Sequence, residues 1–101
     1  MKYIAERKLL CAAKGSRQKH EITVRISEPF IVDDNNSSFP TDGVASGCYV
    51  EMAGLDEGKF DFYGMDSLQA VSIASNIDPL LERLSKKYDF FWLTGEEYFD
   101  D

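Results

Sequence analysis

The sequence predicts an α+β domain: an antiparallel sheet of four or five strands with one long kinked helix packed on one face. A change of hydrophobic period carries that reading. Up to residue 64 apolar residues recur at every second position in separate stretches, whereas from Ser67 to Tyr88 they recur with the period of a helix. Size is the second observation. With 101 residues, 44% of them hydrophobic, the chain suits one core and a single domain spanning 1–101.

From Tyr3 to Ala13 the chain reads as extended, with Tyr3, Ala5, Leu9 and Cys11 in one alternating register and Ile4 and Leu10 in the other. "KGSRQK" is a polar turn. "HEITVRISEPF" then alternates Ile22, Val24 and Ile26 against Glu21, Thr23 and Arg25, so the two stretches form a hairpin. Pro29 ends the second strand, because a proline cannot donate to a ladder. Residues 33–43, "DDNNSSFPTDG", are turn formers without periodicity and read as a long exposed loop.

A second hairpin follows. "GCYVEMA" sets Cys48, Val50 and Met52 against Tyr49 and Glu51, "KFDFYG" sets Phe60 and Phe62 against Lys59, Asp61 and Tyr63, and "GLDEG" joins them as an acidic tip. Beyond it, Ala70, Ile73, Ala74, Ile77, Leu81, Leu84 and Tyr88 fall on one helical stripe. Pro79 interrupts that stripe, and a kink or short break is expected there. Asp66 with Gln69 three residues later has the form of a capping box. "DFFWL" reads as a final short strand that packs Phe90, Phe91 and Trp92, and "LTGEEYFDD" as an acidic aromatic tail with Tyr98 and Phe99 exposed.

Charge narrows the function. The net charge is −7, unevenly spread: residues 1–27 carry +5, residues 28–66 carry −8, and residues 67–101 carry −4. Such a central field repels phosphate backbones and attracts basic proteins, so direct nucleic-acid binding is disfavoured. No stretch has the apolar length of a membrane span and the N-terminus lacks the uninterrupted apolar region of a secretory signal, so no membrane partner and a cytoplasmic location are expected. Cys11 and Cys48 are expected to stay reduced.

Catalytic chemistry finds little footing in the side chains. His20 is the only histidine, so a Ser-His-Asp or Cys-His site would need it, and it opens a strand beside a basic turn. The metal-ligand spacings are missing too: there is no Cys-x-x-Cys, and Asp34-Asn35-Asn36 lacks the glycine and distal glutamate of a calcium loop. Carboxylate pairs such as Asp33/Asp34 and Glu96/Glu97 lie in solvated segments, whereas catalytic carboxylates need partly desolvated surroundings. The expectation is a non-enzymatic protein with no cofactor and no metal.

Two resemblances bear on the serine. Gly64-x-Asp66-Ser67-Leu68 resembles the phosphopantetheine attachment site of acyl and peptidyl carrier proteins, which implies an all-helical bundle modified at Ser67. Ile4 to Arg7 and Leu9, then Tyr63, Gly64, Asp66, Ser67, Gln69, Ala70 and Ala74, then Trp92 and Gly95, resemble a family of small bacterial proteins without an assigned function. In its small size, acidity and lack of catalytic groups the chain is also similar in character to immunity proteins of toxin–immunity pairs, including those of contact-dependent inhibition.

That likeness and the charge imply a protein that covers the active site of a basic toxin domain, a nuclease in the first instance. Asp33, Asp34, Asp42, Glu51, Asp56, Glu57 and Asp61 are the expected acidic contacts, with Tyr49 and Tyr63 as aromatic anchors. A housekeeping or regulatory interaction domain with no toxin partner stays open as the alternative.

Overall fold

The computed structural model describes residues 2–32 and 45–99. Among these the order is β1 (Tyr3–Ala13), β2 (His20–Ser27), β3 (Phe30–Val32), β4 (Ala45–Ala53), β5 (Lys59–Gly64), α1 (Ser67–Ser75), α2 (Asp78–Leu84) and β6 (Tyr88–Phe91). Every strand pairing is antiparallel. Val50 pairs with both Ile26 and Phe60, and Gly47 with both Phe30 and Tyr63. A strand has only two sides, so β2 and β3 lie together on one side of β4 and β5 on the other. Read across, the sheet is β5, β4, β2 continued by β3, β1 and β6.

The fold is α+β as expected, but six strands replace the anticipated four or five. Pro29 does end β2, yet pairing resumes at Phe30 after a shift of one residue in register. The buried Ser27 hydroxyl spans that bulge. It accepts from the Tyr49 N–H at 2.9 Å and donates to the Glu28 carbonyl at 2.9 Å, supplying an acceptor where the ladder is broken.

A second correction concerns the helix. Two short helices stand where one long kinked helix was expected. Pro79 has no N–H for the Ser75 carbonyl and its ring would clash with it, so α1 stops at Ser75. The Ile77 N–H takes that carbonyl at 3.0 Å instead. Because α2 starts afresh, Leu80 is buried and Ile73 is left 40% exposed, and Tyr88 belongs to β6.

The helices cover one face of the sheet. Leu9 and Cys11 of β1, Ile22, Val24 and Ile26 of β2, Cys48, Val50 and Met52 of β4 and Phe90 of β6 pack against Ala70, Ala74, Ile77, Leu80, Leu81 and Leu84. This is the inward register of each alternating stretch, with Phe60 and Phe62 partly buried at its rim. Tyr3 departs from its expected register: a bulge between Tyr3 and Ala5 moves it to the other face, where Arg25 lies 4.3 Å from its ring.

Cys11 and Cys48 are both buried and free. Strand β2 separates them. Cys11 lies opposite His20 while Cys48 lies two residues beyond the Val50–Ile26 pair, an offset of roughly 25 Å along the strands. No disulfide can span that distance.

Residues 92–98 turn back on β6 through Trp92 N–H to Glu96 O at 2.8 Å and Tyr98 N–H to Phe90 O at 3.0 Å, with a bridge between Phe91 and Glu97. Tyr98, expected to be exposed, is buried at 9%. Its hydroxyl accepts from Arg7 Nη1 at 2.6 Å and donates to Asp78 Oδ1 at 2.5 Å, tying β1, the tail and α2 together. Trp92 is 40% exposed rather than packed in the core, stacking on Tyr98 with ring centroids 4.7 Å apart.

Candidate functional site

The face of the sheet opposite the helices is the candidate site: Ser27 and Val32 are buried at its β3 end, Lys59, Asp61 and Tyr63 are exposed along β5, and strand alternation builds it in rows. One row runs Lys59, Glu51, Arg25 and Glu6 across β5, β4, β2 and β1. Its charges alternate in sign at every step, which is the favourable arrangement for directly opposed side chains. Arg25 donates to Glu51 Oε1 through Nε at 2.9 Å and Nη2 at 2.5 Å. Those hydrogen bonds hold the Glu51 carboxyl below the ordinary carboxylate range, with Tyr3 adding to the effect.

The neighbouring row sets Asp61 opposite Tyr49. A third sets Tyr63, Gly47 and Phe30 in line. Glycine is required at 47 because a Cβ there would stand 2.6 Å from Phe30 Cζ and 3.1 Å from Tyr63 Cδ1. Both rings therefore lie across the strand. Phe30 also meets Tyr49, with ring centroids 4.8 Å apart, and Lys59 Nζ sits 5.5 Å from the Tyr49 ring. Burial and the nearby Asp61 push the Tyr63 phenol above its ordinary range.

Of the residues proposed from sequence, four come together here: Tyr49, Glu51, Asp61 and Tyr63. Asp56 is exposed at the hairpin tip, away from them. Glu57 turns the other way. It accepts from the Tyr88 hydroxyl at 2.8 Å and pairs with Lys87 at 3.5 Å, so it fastens the tip to the β6 side of the molecule. Asp33, Asp34 and Asp42 lie outside the described residues, as does Asp34-Asn35-Asn36. Asp61 is exposed and accepts from the Tyr63 hydroxyl at 3.4 Å. Phe30 and Tyr3 were missed as members of the face, since the register shifts that place them there leave no mark in the residue pattern, whereas Arg25 was read as outward but not as the partner of Glu51.

The other features singled out from sequence have structural roles. Asp66 caps α1, accepting from the Gln69 N–H at 2.8 Å, while Gln69 Oε1 reaches back to the Met65 N–H at 2.6 Å. Ser67 occupies the first turn and is exposed. Gly64 is there for closeness: a Cβ would lie 2.7 Å from the Ala70 nitrogen. His20 Nε2 lies 3.3 Å from the Gly54 carbonyl at the surface. Among the described residues, no group of three or more His, Cys, Asp or Glu side chains is arranged to hold a metal ion, and no helix is long and apolar enough to cross a membrane.

Comparison of the chain with protein-family models, with curated proteins and with solved structures returned no match.

Proposed function

We propose that the protein is a cytoplasmic immunity protein that binds a basic toxin domain, a nuclease by preference, and covers its active site without chemistry of its own. The observation that carries this reading is the convergence of Tyr49, Tyr63, Phe30 and Asp61 on the sheet face opposite the helices, in a chain with net charge −7. Aromatic anchors supply contact area at small entropic cost, and the overall charge steers a cationic partner into encounter. The carrier reading lacks its framework, because five strands precede Ser67.

The test is rescue. A toxin domain encoded beside this chain is expressed with and without it, and growth and complex formation are followed. Rescue by the parent and its loss in Tyr49→Ala/Asp61→Asn, with an unchanged melting temperature, supports the reading. A non-toxic neighbour, or rescue indifferent to this face, sinks it.

A further inference from the structure

The edges of the sheet at β6 and at β5 are finished differently. At β6 the returning residues 96–98 cover the edge. At β5 no strand among the described residues pairs with the outer side, and hydrogen-bond parity reveals what that edge presents. The Tyr49 N–H points to Ser27 on the β2 side, so by strand alternation Cys48 and Val50 direct theirs to β5. Their partners Phe62 and Phe60 point back toward β4. Lys59 and Asp61 therefore aim their N–H and C=O groups outward, and among the described residues no backbone partner meets them there.

Exposed edges are commonly protected by charge. Here the two charges are opposite in sign and two residues apart, which makes the edge complementary to itself. We propose that β5 pairs with β5 of a second copy across a two-fold axis at Phe60, continuing the sheet through the dimer. In this register Lys59 of each copy faces Asp61 of the other, and both residues are in the hydrogen-bonding phase. Sliding by two residues would put Asp61 against Asp61, so charge selects the register. On the helix side the pairing sets Phe60 against Phe60, beside a groove lined by Phe62, Ile73, Pro79, Leu80 and Arg83 that opens along this same edge. A second copy of the chain matches the edge in charge sequence, phase and face together.

The test is the mass of the full chain by sedimentation and light scattering up to about 100 µM, a range that captures modest self-affinity. The parent dimerises. Lys59→Asp and Asp61→Lys, each placing like charges opposite one another twice, weaken the dimer roughly tenfold or more. The double exchange K59D/D61K restores it, and the two single variants mixed together form a heterodimer. In parallel, amide exchange of Lys59 and Asp61 slows with protein concentration while that of Phe60 does not, a readout that needs no variant. A parent that stays monomeric, a dimer indifferent to both reversals, or single variants that fail to pair when mixed overturns the proposal.

Discussion

The two faces of this sheet are made by the same strands and held by different physics. On the helix side, Ile22, Val24 and Ile26 meet Cys48, Val50 and Met52 in a dry layer closed by Leu81 at 0% exposure. On the other side, Arg25 stands between Glu6 and Glu51, and Tyr49 beside Asp61, in contact with water. Burial stabilises the first face in proportion to apolar area, whereas the exposed ion pairs of the second contribute little individually. Changes to the covered face should therefore register in stability, and changes to the open face in association.

Leu81→Ala breaks that comparison most directly. It should cost about 3 kcal/mol by denaturant unfolding, through lost burial and the cavity left behind, with partner binding by the folded fraction unchanged. Tyr49→Ala is its mirror: binding to the toxin domain should weaken by about 2 kcal/mol in calorimetry, as truncated anchors do, with the melting temperature nearly unmoved. Equal losses of stability in the two variants would erase the distinction between the faces.

The faces should also separate by pH. Burial, reinforced by Asp89, pushes the Cys11 thiol up from 9.0 to about 11. Its protonated form is the one the fold favours, so its contribution is complete below pH 9.0 and is lost as pH rises toward about 11. The loss is on the order of 2 kcal/mol, from the free energy that one unit represents. Unfolding curves between those limits should show it, and Cys11→Ala should flatten the slope. Glu51 on the open face has the opposite sign: Arg25 lowers it, so its contribution is present above 4.5 and fades as pH falls below that value. Arg25→Gln should remove that acid-side dependence and leave the alkaline one intact.

Where the chain passes from sheet to helix, Asp66→Ala should cost about 1 kcal/mol by removing the N-cap of α1, and Ser67→Ala only a few tenths. Thermal unfolding of the pair checks it. A serine variant that loses activity with its fold intact would revive the carrier reading.

Local pattern was enough for the inward registers. Ile22, Val24 and Ile26, and then Cys48, Val50 and Met52, are read from alternation alone, because period two forces alternate side chains to one face. The cap at Asp66 was equally legible, since its partner lies three residues away. The site was legible by half. Tyr49, Glu51, Asp61 and Tyr63 share one hairpin, so their common face follows from the same alternation. Glu57 was not separable from them by sequence, because its partners Lys87 and Tyr88 are brought near only by the fold.

What the sequence by itself determined is thus the α+β class, the covered face and the start of α1, all set by interactions within a few residues. Tertiary structure alone decided the rest. The bulges that bring Tyr3 and Phe30 to the open face depend on which strand each residue meets, as does the pairing of Arg25 with Glu51. The burial of Tyr98 depends on Arg7 and Asp78, far from it along the chain. The outer edge at β5 likewise exists only because of the strand order. Each rests on contacts between distant residues, and a one-residue change of register, invisible in composition or period, exchanges the two faces.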